Sequence, residues 1–400
     1  MLGVAIRVAQ RMGINNESAT AKCTLAEAEM RRRLWWSLVL FDSRIGELSG
    51  SRALTLDPTW DCKIPLNVND SDLRPEMRLP PASQGRPTEA IFAVVRCELG
   101  DFLRHTLFHL ELNNPALKAL SKDSPNSLTR GGSEVLKLEE RIENQYLRYC
   151  DPENPVHYMT IWTTRAHLAK YRLLEHHTKC FSTTTLDTES QRDAATGHAF
   201  RLLECDTKIR TSSLTKGFLW LNNLYFPFPA YIQLVQDLRL RPVSQHTRQA
   251  WELMSENYEA WFNSQLGEQN PVFSFFSKLV LEAWHACEAA SNELGEVLTL
   301  PSMVLSIRHT VAQTERPIPL TTGQPTTGMD VGVSEFATSM PLGPTDQIMS
   351  YGLGMQDEYG TMGPETYAGI QGQVPLDAQV NHLNWLAYSG WPGWGGPGGY

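Results

Sequence analysis

Glu29-Met30-Arg31-Arg32-Arg33-Leu34-Trp35-Trp36, continuing as Ser37-Leu38-Val39-Leu40-Phe41-Asp42-Ser43-Arg44, reads as one helix. Its apolar positions Met30, Leu34, Leu38, Phe41, Ile45 and Leu48 step by three or four, the period of a single helix face. Thr24 followed by Glu27 makes a capping box at the start, and Gly50 ends the pattern after about six turns. The spacing predicts that Leu34, Trp35, Leu38 and Phe41 are buried. Glu27 and Glu29 precede Arg31 and Arg33 by four residues, the favourable order for pairing, so the arginine run reads as a solvated or internally paired face. Trp35 and Trp36 leave the helix on different sides and are expected to anchor neighbouring helices.

Working outward, residues 1–50 read as two helices and 51–87 as a loop punctuated by Pro58, Pro65, Pro75, Pro80, Pro81 and Pro87. From 88 to 112, Ile91, Val95, Leu99, Phe102, Thr106 and Leu110 keep a helical period, and from 133 to 150 Val135, Leu138, Ile142, Tyr146 and Tyr149 keep it more cleanly. Gly131-Gly132 falls between the two. Further helices are expected at 156–178, 190–212, 228–240, 245–265 and 272–297, with Pro155, Pro227, Pro242 and Pro271 at or near their ends. Alternating strand patterns are nearly absent, so the expected fold class is all-α, a multi-helical domain over residues 1–316.

The composition changes after Arg316. Residues 317–400 contain 16 Gly and 9 Pro, no Lys or Arg, and seven acidic residues. Those seven account for most of the formal net charge of −9, leaving −2 on residues 1–316. A chain of that composition buries too little apolar surface to offset the entropy of ordering it, so 317–400 is expected to be a disordered acidic tail. Nine aromatics are spaced singly through it, among them Trp385, Trp391 and Trp394, a pattern suited to an activation segment that offers rings to a partner groove. The nearly neutral body lacks the broad basic surface that wraps nucleic acid.

Chemistry-bearing patterns are weak. The seven cysteines are odd in number and never closer than 25 residues, the usage of reduced thiols and not of a disulfide framework or a zinc site. His176, His177 and Cys180 share one helical turn, but no second pair completes a metal site. Ser213-Leu214-Thr215-Lys216 matches Ser-x-x-Lys by letters without its companion motifs, and Asp70-Ser71-Asp72 lies in a Pro-rich loop, not on facing helices. No catalytic, cofactor-binding or metal-binding residue is assigned, and no cofactor is expected. The segment at Met1 lacks the sections of a signal peptide, and no apolar run approaches the ~20 residues needed to cross a bilayer.

The wording around Arg31–Arg33 resembles the fungal-specific transcription factor domain, or middle homology region, of the zinc-cluster (Zn2Cys6) transcription factors. The residues that carry the resemblance are Leu2-Gly3-Val4-Ala5-Ile6-Arg7-Val8-Ala9-Gln10-Arg11-Met12-Gly13-Ile14, then Glu29, Arg32, Arg33, Trp35, Trp36, Asp42, Arg44 and Gly50, then Ile64-Pro65. Asn15 stands where the family usually has histidine. Looser similarity runs through Phe218-Leu219-Trp220, Tyr225 to Tyr231, Leu234 to Pro242, Ala250-Trp251 and Pro271 to Trp284. The resemblance implies a nuclear regulator of transcription, and many relatives govern secondary-metabolite gene clusters. It implies DNA contact only through an N-terminal zinc cluster that this chain lacks, or through a partner, together with a dimerising coiled coil in the full-length form. Partners of the tail would be transcription machinery or co-regulators. A co-regulator or interaction scaffold without DNA contact is the alternative, and an all-α enzyme a third.

Overall fold

The quoted helix runs from Leu25 to Ser49 as α3. It belongs to a computed structural model that describes residues 1–49, 55, 59–74, 76–77, 81, 87–105, 133–182, 188–262, 271–295 and 298–314. The expectations for 106–112, for the glycine pair at 131–132 and for the whole tail after Arg316 lie outside the described residues. No strand occurs among the described residues, and the body is all-α.

In order, the helices are α1 Leu2–Arg11, α2 Glu17–Thr20, α3 Leu25–Ser49, α4 Ile91–His105, α5 Glu134–Gln145, α6 Pro155–Ser182, α7 Glu189–Thr211, α8 Phe228–Leu240, α9 Thr247–Phe262, α10 Pro271–Leu294 and α11 Ser302–Thr314. Short 3-10 turns occupy Asp70–Asp72, Leu147–Tyr149 and Ser213–Asn222. The helix expected at 228–240 is found with those bounds, the others start or end a few residues away where they are described, and the two helices expected in 1–50 are separated by the short α2. Helix α11 was not anticipated, although Met303, Val304 and Ile307 on its buried side keep a helical spacing.

Local chemistry explains several ends. Ser133 caps α5 by accepting from the Leu136 amide, and Thr188 and Gln191 form a reciprocal capping box on α7. Gly13, at φ 69°, turns the chain after α1 in a conformation that side chains resist. At α3 the expected capping box is only half made: Thr24 Oγ1 accepts from the Glu27 amide at 3.2 Å, while Glu27 turns forward to Arg31 at 2.8 Å.

Three apolar clusters hold the body. The largest joins α6 to α11 around Leu173, Leu203, Tyr231, Met254, Trp284 and Ile307. A second packs Ile91, Val95 and Leu99 of α4 against Val135 and Ile142 of α5 and Tyr171 of α6. A third joins Ile6 and Ala9 of α1 to Trp35, Trp36 and Val39 of α3 and Trp60 of the following loop.

The third cluster corrects the expectation for α3. Trp35 is buried, but Leu34 and Phe41 are 48% and 46% exposed, and Leu38 is only half-buried. Met30 and Ile45 are exposed as well, so most of the apolar stripe read from the sequence faces outward. The face turned inward carries Glu29, Trp35, Trp36, Val39, Asp42 and Arg44. Burying charge there is tolerated because partners from distant segments satisfy each group.

Candidate functional site

The inward face of α3 is wired to the loop that follows it. Arg32 forks onto Glu17, its Nε and Nη2 donating to the two carboxylate oxygens at 2.8 and 2.7 Å, and its Nη1 donates to Glu29 at 2.5 Å. Glu17 also accepts from the Lys63 amide and Glu29 from the Leu66 amide, both at 2.8 Å. The Arg32 fork holds the Glu17 carboxyl below its ordinary range against the opposing cost of burial. The expected Glu29–Arg33 pair does not form: Glu29 pairs with Arg32, and Arg33 reaches Asp70 at 2.6 Å. Arg32 is therefore an internal tie and not a solvated charge.

Trp35 and Trp36 share one cluster with Ile6 and Ala9 of α1 and Cys97 of α4, as expected of anchors for neighbouring helices. Both meet Trp60 edge-on, with ring centroids 5.5 and 5.3 Å away, and the Trp36 indole N–H donates to the Lys63 carbonyl at 2.9 Å. Arg104 of α4 lies over the Trp60 ring at 3.6 Å and donates to its carbonyl. Asp42 accepts from the amide and hydroxyl of Thr55. The loop is thus bound backbone-first to the acidic and aromatic letters of α3, and Asp70 and Asp72 serve it structurally, Asp72 by capping Asn69.

A second constellation joins α3, α4, α6 and the segment before α8. Arg44 donates to the Leu224 carbonyl, pairs with Glu47 at 2.7 Å and lies 4.8 Å from the Tyr225 ring centre. Lys170 of α6 also binds Glu47. Arg96 of α4 donates to the Tyr225 hydroxyl at 3.1 Å. His167, one turn before Lys170, bonds the Thr163 carbonyl at 2.7 Å and packs on Tyr225. Burial works against the charge on Glu47, but Arg44 and Lys170 overcome it and hold the carboxyl well below the usual range. Burial lowers His167 to about 4, so its ring is neutral near pH 7. Two cavities of about 40 Å³ each flank the cluster, and Arg44, His167, Lys170 and Tyr225 line both.

Sequence reading did not single out Glu47, Arg96, His167 or Lys170. The one available signal was Lys170 set among Ala166, Ala169, Leu173 and Leu174, a cation on an otherwise apolar helix face. A third polar group lies deeper: Asp206 accepts from Asn257 at 2.9 Å and from the Trp261 indole at 2.6 Å, close to Arg210. Tyr231 donates to the Asn257 amide oxygen at 2.9 Å, which ties α7, α8 and α9 together.

The motifs weighed for chemistry do not converge. Among the described residues no three His, Cys, Asp or Glu side chains gather as metal ligands. The His176 and His177 rings stand edge to face, 5.6 Å apart, and the Cys180 side chain lies outside the described residues. Ser213 opens a 3-10 turn whose Thr215 hydroxyl returns to the Ser212 carbonyl. Among the described residues no helix is long and apolar enough to cross a membrane.

Residues 1–88, which contain the Glu17–Arg32–Glu29 tie and the three tryptophans, match the model of the fungal specific transcription factor domain. Beyond them similarity rests on whole relatives. The chain is 50% identical over 317 residues to the transcriptional regulator AacuB of Aspergillus aculeatus, covering 78% of this chain and 42% of that protein. It is 40% identical over 395 residues to the transcriptional regulator nsrM of Aspergillus novofumigatus, covering 97% and 53% respectively. Over 395 residues it is 26% identical to the aurofusarin cluster transcription factor aurR2 of Gibberella zeae, covering 94% and 56%. The chain spans about half the length of these curated relatives. No solved structure matches it. Glu29, Trp35, Trp36, Asp42 and Arg44, buried on the inward face of α3, and the half-buried Arg32 all lie within the segment, residues 1–88, that matches the fungal specific transcription factor domain.

Proposed function

We propose that this chain is the regulatory portion of a nuclear fungal transcriptional regulator that controls a biosynthetic gene cluster. The observation that carries the reading is the 40% identity to a transcriptional regulator sustained over 97% of the chain, with Glu29 paired to Arg32 and Trp35, Trp36, Asp42 and Arg44 buried. The printed name of the Gibberella relative, a cluster transcription factor, supports the link to a gene cluster. In this reading the helical body, residues 1–316, receives regulatory signals. The acidic, aromatic segment 317–400 contacts transcription machinery or co-regulators. DNA contact comes from a zinc cluster outside these residues or from a partner, in keeping with cysteines at least 25 residues apart. Its role is binding and regulation, not catalysis.

The test is a reporter assay with the chain tethered to an unrelated DNA-binding domain. Tethered full chain, or residues 317–400 alone, is expected to raise reporter output. Replacing Trp385, Trp391 and Trp394 by Ala is expected to remove most of the increase, because affinity for a groove comes from a few buried rings. A silent tethered chain overturns the regulatory reading, and full activity in the triple variant overturns its aromatic mechanism.

A further inference from the structure

We infer that the outward face of α3 is a self-association surface on which a second copy of this chain lays its own α3 antiparallel, Leu34 against the partner's Ile45 and Leu38 against the partner's Phe41. The surface is separate from the coiled coil that the family resemblance implies, and the inference does not rest on the transcriptional reading.

The face has the composition of a buried surface and stands open. Leu34, Phe41 and Ile45 are 48%, 46% and 39% exposed, and Leu38 is half-buried. The opposite face of the same helix is filled by Trp35, Trp36 and Val39, so α3 is apolar on two sides, the pattern of a helix packed between two layers. Residues 34–45 contain two charges, Asp42 and Arg44, and both are turned inward, buried and hydrogen-bonded. The outward side of about three turns therefore carries no charge, where a helix that only faces water carries several.

Spacing selects the occupant. Leu34, Leu38, Phe41 and Ile45 step by four, three and four, the interval of a coiled-coil seam. That series reads the same in both directions, so a two-fold axis crossing the helix between residues 39 and 40 lays the seam onto a copy of itself in register, as an isologous interface requires. Charge selects the direction. Antiparallel pairing keeps Arg31 about 25 Å from the partner's Arg31, well beyond the screening length of ~8 Å, whereas parallel pairing brings the two arginine runs together. The contact covers on the order of 1,000 Å² in total, the lower end for a specific interface, so the pair is expected to be weak and to dissociate in the micromolar range.

The experiment is sedimentation equilibrium of the full chain from about 1 to about 200 µM, a span that brackets a micromolar dissociation constant. The mass is expected to rise from the 45.0 kDa of one chain towards twice that value. Phe41→Lys, which sets a charge at the centre of the seam, is expected to weaken association by about tenfold or more while leaving the circular dichroism and Tm of dilute protein unchanged, because the side chain stands on an exposed face. Register is read by cysteine cross-linking with copper phenanthroline. A mixture of Leu34→Cys and Ile45→Cys chains is expected to link more than either variant alone or the unaltered chain, since positions 34 and 45 meet across the axis while like positions lie roughly 16 Å apart. Should Phe41→Lys not fold, the cross-linking comparison and the concentration dependence of the unaltered chain decide. A one-chain mass at every concentration, association retained in folded Phe41→Lys, or cross-linking no greater in the mixture than in either variant alone overturns the inference.

Discussion

Neutralising Glu47 is expected to destabilise the body more than removing Lys170, and removing both is expected to be milder than removing Glu47 alone. Glu47, 23% exposed, is shared by Arg44, 8% exposed, and Lys170, 16% exposed. A close pair in such surroundings attracts by about 4 kcal/mol at an effective dielectric constant near 20, before the cost of desolvation. Glu47→Gln removes both of these attractions and leaves Arg44 and Lys170 facing each other. Its cost should fall in the range of about 3–5 kcal/mol seen when one partner of a buried pair is lost. Lys170→Met removes one attraction and leaves Glu47 on Arg44 at 2.7 Å, for roughly 1–3 kcal/mol. In the double variant one stranded cation is gone, so the two changes should couple favourably. Urea unfolding followed by tryptophan fluorescence, with midpoint and slope both reported, measures all three. If Lys170→Met costs as much as Glu47→Gln, or the double variant is the least stable, the view of Glu47 as the shared counter-ion is wrong.

The two faces of α3 should separate in the same assay: Trp35→Ala, in full core, is expected to cost about 3–5 kcal/mol, while Leu34→Ser and Phe41→Ser on the exposed stripe should stay within about 0.5 kcal/mol. His167, lowered to about 4 from 6.5 by burial with the Lys170 and Arg96 charges adding to it, binds a proton in the unfolded chain that the folded one refuses between those values. Its contribution is therefore complete above about pH 6.5 and falls by roughly 2–3 kcal/mol towards pH 4, and His167→Gln should flatten the fall in stability between those pH values. An anisotropy titration with this chain alone should show no sequence preference on duplex DNA, and zinc analysis of the purified chain should find no stoichiometric metal; a specificity ratio of about a thousandfold or more would contradict the first.

Helix content was legible in the sequence because helical period is local. Val135, Leu138 and Ile142, or Ile91, Val95 and Leu99, recur at three and four, and these positions are the ones buried on α5 and α4. The resemblance was legible because the residues that carry it most clearly, Glu29 to Arg44, are contiguous, and they fall within residues 1–88, the segment that matches the domain. What α3 does with its faces was not legible. Its stripe Met30, Leu34, Phe41 and Ile45 is as regular as any in the chain, yet it stands exposed. The face that won burial carries charges whose partners are Glu17, Leu66, Thr55 and, 180 residues away, the Leu224 carbonyl. The candidate site has the same origin: Glu47, Arg96, Lys170 and Tyr225 lie on four segments, and only tertiary packing brings them together. A sequence specifies which side chains can satisfy a buried charge; which of them arrive beside it depends on how helices more than a hundred residues apart pack, and only the folded structure decides that.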